Sequence, residues 1–244
     1  MQDLLRWEMK QTLRSKAFWG MLIAFVGCIF LFILYPILKG EGSGYDLYLE
    51  TMDNLNGFII FLTGIYAGIH ITKAFENRNI QAAVMAGNSR FAVIVAKLIS
   101  YVFSIAAFSV AALSVNGLIG FAAHGLGDAS GDFWIPVVVR GLVFVLVEIA
   151  FSSICVIISM FIKNMGGAIA VNLLTLLALN ITTSILISQD ILTGLIPYTP
   201  AGQTFLLFAD TTPHNLMVAT VSSIVFLFIV LGVCFLRFRK AELK

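Results

Sequence analysis

Six runs of continuously apolar residues, each about 18 residues or longer, constrain this chain more than any other feature; they lie at 17–38, 55–72, 92–123, 134–161, 166–188 and 217–236. A helix of that length spans the hydrocarbon core of a bilayer. None of the runs alternates apolar with polar residues over about ten positions, as the strands of an outer-membrane barrel do. The reading is an all-α integral membrane protein with six transmembrane helices. Composition agrees, since 59% of the 244 residues are apolar and 11% are charged, where soluble domains carry about 25% charged residues. Six spans with short connections use up this length, so one transmembrane domain over 1–244 is expected, with no second globular unit. The third and fourth runs exceed the bilayer's need, which points to tilt, a kink near Gly117 and Gly120, or extension beyond the membrane.

The distribution of charge orients the spans. With the N-terminus in the cytoplasm, thirteen of the fifteen basic residues fall on one side: Arg6 to Lys16, Lys73 to Lys97, Lys163, and Arg237 to Lys244. The other side receives Lys39 and Arg140 and collects Glu41, Asp46, Glu50, Asp53, Asp128, Asp132, Asp190 and Asp210. This is the positive-inside bias of a multi-pass plasma-membrane protein with both termini cytoplasmic. The start of the chain has no Ala-x-Ala-like cleavage site and runs into an apolar stretch too long for a signal peptide, so the first span is expected to be retained. Cys28, Cys155 and Cys234 all fall in apolar stretches and read as small core residues, not as a disulfide framework.

Residues 1–16 differ from the spans. Leu5, Met9 and Leu13 share one helical face with Leu4 beside them, and Arg6, Lys10 and Arg14 form another stripe, so residues 2–15 read as an amphipathic helix lying in the interface. The segment 189–215 carries Pro197, Pro200 and Pro213 together with the apolar string Phe205, Leu206, Leu207 and Phe208, and is expected to dip into the external interface.

Three stretches together resemble the permease subunits of type-2 ATP-binding-cassette transporters. Trp7-Glu8-Met9-Lys10-Gln11-Thr12-Leu13-Arg14-Ser15-Lys16-Ala17-Phe18-Trp19 is similar to that family's N-terminal helix stepping into the first span. Phe75 and Glu76, followed by Gly87-Asn88-Ser89-Arg90 and Lys97, resemble its cytoplasmic Glu…Gly-x-Ser-Arg…Lys element, with Asn79-Ile80 standing where many members have Gly-Thr. The tail from Phe235 to Lys244 resembles its terminal Phe-x-Arg-Arg-Asp-Leu pattern. The resemblance implies a bacterial six-span exporter subunit, nearest in size to the small permeases for antimicrobial-peptide export or self-immunity. It also implies a second permease, identical or not, and two copies of a separate ATPase that binds ATP and Mg. This chain has no Gly-x-x-x-x-Gly-Lys-Ser/Thr phosphate loop of its own. Surrounding lipid is the remaining partner, and no nucleic acid is expected.

Within that reading, residues 73–90 couple the ATPase to the membrane. A short helix over 79–86 would turn Ile80, Ala83 and Val84 toward an ATPase groove, bracketed by Glu76 and by Ser89 and Arg90, with Glu76 pairing to Arg78 or Arg90. In span four, Glu148 is expected to face protein or a wet cavity. It either hydrogen-bonds to Ser152, Asn172 or Asn180, or lines the substrate path. Arg140 lies about 12 Å away along the helix, too far to pair with Glu148, and is expected to snorkel to external headgroups or to pair with Asp128, Asp132 or Asp190. Gly64 and Gly68 form a small-residue face for close helix packing, and Gly166-Gly167 opens span five.

His70, His124 and His214 are divided between the two membrane sides, and neither a Gly-x-Ser-x-Gly elbow nor a His-Glu-x-x-His pair occurs, so no catalytic residue and no metal site is expected. The rival readings are a substrate-capturing membrane subunit of an import system, which needs an external pocket, and an intramembrane enzyme, which needs paired catalytic residues at matched depth.

Overall fold

The computed structural model describes residues 2–39, 43–76, 79–125, 134–162, 164–192, 194–209 and 212–240. Among them there are helices and no strands: α1 (Gln2–Leu13), α2 (Lys16–Lys39), α3 (Gly44–Glu76), α4 (Asn79–Met85), α5 (Arg90–His124), α6 (Trp134–Phe161), α7 (Met165–Ser188), a 3₁₀ turn (Ile196–Tyr198), α8 (Pro200–Ala209) and α9 (Pro213–Lys240). Six of these helices contain stretches long and apolar enough to cross a membrane: Lys16–Leu34, Phe58–Glu76, Arg90–Ala123, Val137–Phe161, Met165–Ser188 and Pro213–Leu236. The chain is thus an all-helical protein built for a membrane, and their outward faces (Ile23, Leu31, Leu174 and Phe228, for example) carry exposed aliphatic and aromatic side chains.

The second long helix begins earlier than its apolar run, at Gly44 and not near 55. Its first turns bury Leu47, Tyr48 and Met52, so the stretch containing Glu50 and Asp53 is helix and not loop. Helix α5 runs unbroken through Gly117 and Gly120, and Gly120 faces the start of α3 close to Leu47. The core is centred on α3, α5 and α6, where Phe25 and Phe108, Tyr66 and Tyr101, and Phe144 are buried. Helices α2, α7 and α9 pack around these three with one side left bare.

At the edges of the bundle the structure shows which face of α1 is buried and corrects the expectation for the segment after α7. The face of α1 that turns inward is Leu4, Glu8 and Thr12, whereas Leu5 and Met9 are half-buried and Leu13 is exposed. Helical geometry sets the Leu5–Met9–Leu13 stripe about 100° round from the buried one, so it grades from Leu5, which still packs against the core, to exposed Leu13. The segment after α7 is also more ordered than an interfacial loop: α8 buries Pro200, Gly202, Gln203, Thr204, Leu207 and Phe208. Phe208 meets Phe144 of α6 at 5.6 Å between ring centroids. Polar ties hold α8 in place, since Gln203 Nε2 donates to the Asn215 side-chain oxygen at 3.1 Å and Asn215 Nδ2 donates to the Leu206 carbonyl at 3.2 Å.

Glu41, Arg78, Asp128, Asp132, Lys163, Asp210 and Lys244 lie outside the described residues, as do the side chains of Lys39, Asp46, His124, Arg237, Arg239 and Lys240.

Candidate functional site

The end of the bundle where α1, α4 and the start of α5 meet holds most of the charged chemistry. Lys97, one long stride into α5, donates to Glu8 Oε2 at 2.9 Å, and both side chains are over nine-tenths buried. This pair docks α1 on α5. Thr12, one turn on from Glu8, is buried on the same side, and the helix ends where Trp19 Nε1 donates to the free Leu13 carbonyl at 2.8 Å.

Behind the pair runs a chain of buried polar groups. His70 Nε2 lies 3.0 Å from the Ser100 hydroxyl and its Nδ1 3.3 Å from the Tyr66 hydroxyl. Tyr66 donates to Ser104 Oγ at 2.8 Å, and Ser104 and Ser100 donate in turn to the Ser100 and Lys97 carbonyls, each at 2.8 Å. The two ring nitrogens of His70 face these two hydroxyls, and its single N–H can donate to one of them; the Tyr66 ring stacks on both His70 and Tyr101. A cavity of about 480 Å³ opens over this chain, lined by Glu8, Lys97, Tyr66 and His70 within and by Trp7, Lys10, Arg14 and Lys73 around it. Sequence reading found Lys97 through its spacing from Arg90 but gave no role to Glu8 or His70, because a pair 89 residues apart leaves no local signal.

Helix α4 forms a ledge at this same end. It is closed by Gly87, whose φ of +89° is the left-handed conformation glycine tolerates best. Asn88 Nδ2 donates to the Ala83 carbonyl at 3.0 Å, and Ser89 caps α5 by accepting from the Ala92 N–H at 3.2 Å. Ile80 is buried, and Ala83 and Val84 pack against the core beside it. That corrects the expected docking face: these three fix α4 to its own protein, because a seven-residue helix must bury its apolar side somewhere. The face turned out carries Ala82 and Met85, and Met85 is 87% exposed. Glu76 Oε1 accepts from the Met165 N–H at 2.9 Å, placing a carboxylate at the N-terminus of α7 where the helix dipole favours it. Arg90 is exposed at the start of α5.

The intramembrane polar residues are distributed among three places. Asn172 is fully buried and donates to the Gly64 carbonyl and to Ser159 Oγ, both at 3.0 Å, tying α7 to α3 and α6. Asn180 is half-buried on the same helix. Arg140 is 3% exposed and donates to the Tyr45 hydroxyl at 3.2 Å, so it is held inside the far end of the bundle and does not snorkel outward. Burial pushes the neighbouring Tyr48 hydroxyl up to about 12 despite the pull of the Arg140 guanidinium.

Glu148 is 0% exposed, and neither carboxylate oxygen has a hydrogen-bond partner among the described residues. Of the two alternatives for Glu148, the hydrogen bond to Ser152, Asn172 or Asn180 is not made: Ser152 donates to the Ile149 carbonyl and Asn172 is occupied as above.

Gly64 and Gly68 sit where α3 meets α7. A Cβ on Gly68 would stand 2.7 Å from Ile169 Cγ1 and 3.1 Å from the Ile169 backbone nitrogen. Because backbone cannot rotate away, Gly68→Ala should push the two helices apart and cost about 1–3 kcal/mol, read as a lowered thermal midpoint of the purified protein. An unchanged midpoint would show that α3 and α7 slide without penalty.

The chain matches no protein-family model and no curated protein sequence. Among the described residues, no group of three or more His, Cys, Asp or Glu is placed to hold a metal ion.

Proposed function

We propose that this chain is the transmembrane permease subunit of an ATP-driven exporter that moves an amphiphilic substrate, such as an antimicrobial peptide, a drug or a lipid-like molecule, out of the cytoplasm or the membrane. The observation that carries this reading is α4. A short helix is clamped between two membrane-length helices by its own apolar side, with Met85 projecting from it and Glu76 bonding the end of α3 to the start of α7. Force applied to such a ledge passes into α3 and α5, and through Glu76 at the end of α3 to the start of α7. In this reading the basic end of the bundle is cytoplasmic, both termini lie on the cytoplasmic side of the plasma membrane, and α1 rests on its inner surface. The motor is a separate ATPase, two copies of which serve this chain and a second permease, identical or different.

The experiment places single cysteines at Ala82 and Met85 and cross-links the assembled complex. Both should capture the ATPase, the isolated chain should hydrolyse no ATP, and neither cysteine should react with an impermeant thiol reagent added outside intact cells. Labelling from outside would overturn the orientation. Nucleotide hydrolysis by the isolated chain would overturn the division of labour.

A further inference from the structure

We infer that the cavity between α1, α3 and α5 is a binding site for the phosphate headgroup of an anionic phospholipid.

Four cationic side chains and one carboxylate line it. Glu8 and Lys97 neutralise each other across 2.9 Å. Lys10, Arg14 and Lys73 remain, all exposed at the rim of one cavity and with no ion pair among the described residues. Three uncompensated cations around about 480 Å³ repel one another unless an anion sits between them. The site is also built, since its inner wall is the buried Tyr66, Lys97 and Glu8, held by the hydrogen bonds that run through His70, Ser100 and Ser104.

The apolar surroundings select a lipid over a free anion. Trp7 lies at the cavity and is 45% exposed, and Leu13 and Trp19, at the junction of α1 and α2, are exposed as well. Indole rings settle at headgroup depth, so Trp7 sets the mouth of the cavity at the level of lipid phosphates. A phosphate in the cavity would therefore sit at headgroup level, with its chains passing into the adjoining bilayer. This inference needs the chain to be in a membrane but does not depend on its being a transporter.

The test is native mass spectrometry of the full chain in detergent, titrated with palmitoyl-oleoyl phosphatidylglycerol, with the phosphatidylcholine of the same chains, and with inorganic phosphate. One phosphatidylglycerol per chain should bind in preference to phosphatidylcholine and should not be displaced by inorganic phosphate. The triple variant Lys10→Gln/Arg14→Gln/Lys73→Gln should bind it about a hundredfold more weakly, at the usual contribution of a basic residue near an anionic lipid. These positions are exposed, and an unchanged thermal midpoint would confirm that the variant folds. The control variant Arg6→Gln/Lys16→Gln removes two charges outside the cavity and should bind as the parent does.

Equal binding of the two lipids would overturn the proposal, as would an equal loss in the control, which marks diffuse surface attraction. Displacement by inorganic phosphate would also overturn it, by making this a free-anion site. If the triple variant fails to fold, Gln11→Glu, a single added negative charge in the cavity lining, should weaken phosphatidylglycerol binding alone, and unchanged binding would defeat the proposal.

Discussion

Glu8→Ala should destabilise the protein by about 3–5 kcal/mol, the cost of leaving one member of a buried ion pair without its counter-charge. Lys97 is buried in α5 with Glu8 as its ion-pair partner, so removing the carboxylate strands an ammonium group among helices. Lys97→Met should cost a similar amount by stranding the carboxylate. The double variant Glu8→Met/Lys97→Met should recover most of the loss, because two apolar side chains of similar volume leave nothing unsatisfied. Thermal unfolding of the purified protein measures all three. Limited proteolysis adds a local readout, since α1 is docked through this pair and should be cleaved first in either single variant. A coupling energy under about 1 kcal/mol would place the pair with ordinary surface salt bridges and refute its role in holding α1.

Glu148→Met is expected to have the opposite sign. The carboxyl is fully buried, with both oxygens unpartnered among the described residues, and replacing an unsatisfied buried polar group by an apolar one of similar size should stabilise by about 1–3 kcal/mol. Phe144, one turn earlier, and Phe151, nearly one turn later, are buried on either side, so a thioether side chain fits the same space. A residue retained at a cost to stability inside a membrane helix points to function. On the transporter reading, Glu148→Met should therefore raise the thermal midpoint while export falls, and Glu148→Gln should leave the midpoint near that of the parent with export reduced. A marked loss of stability in Glu148→Met would reveal a structural partner and defeat this account. A fully active Glu148→Met would defeat the functional one.

Much of the architecture was legible because a bilayer imposes a one-dimensional rule: about 20 apolar residues in sequence make a span wherever they pack. All six long helices begin and end within a few residues of their apolar runs except α3, whose early start uses Tyr45, Leu47, Tyr48 and Met52 on a stretch also carrying acidic residues. The short helix between the second and third spans was also readable, because Gly87 and Ser89 are local stop and start signals.

What each helix turns toward its neighbours was not readable. The leucine stripe on α1 read as the face that lies on the membrane, and nothing in it showed that a second stripe containing Glu8 is buried, because its partner Lys97 arrives from a helix far away in sequence. Ile80, Ala83 and Val84 looked available to a partner, but the chain's own core took them and left Met85 outside. Glu148 read either as hydrogen-bonded or as lining a path, and among the described residues it has no hydrogen-bond partner, while Arg140, read as snorkelling or pairing with an external aspartate, is enclosed with Tyr45. Local pattern decides that a segment is a helix and how long it runs, because those energies come from neighbours along the chain. Which polar group is satisfied, and which apolar face remains bare, depends on side chains brought together from distant positions, and only the packed bundle determines that.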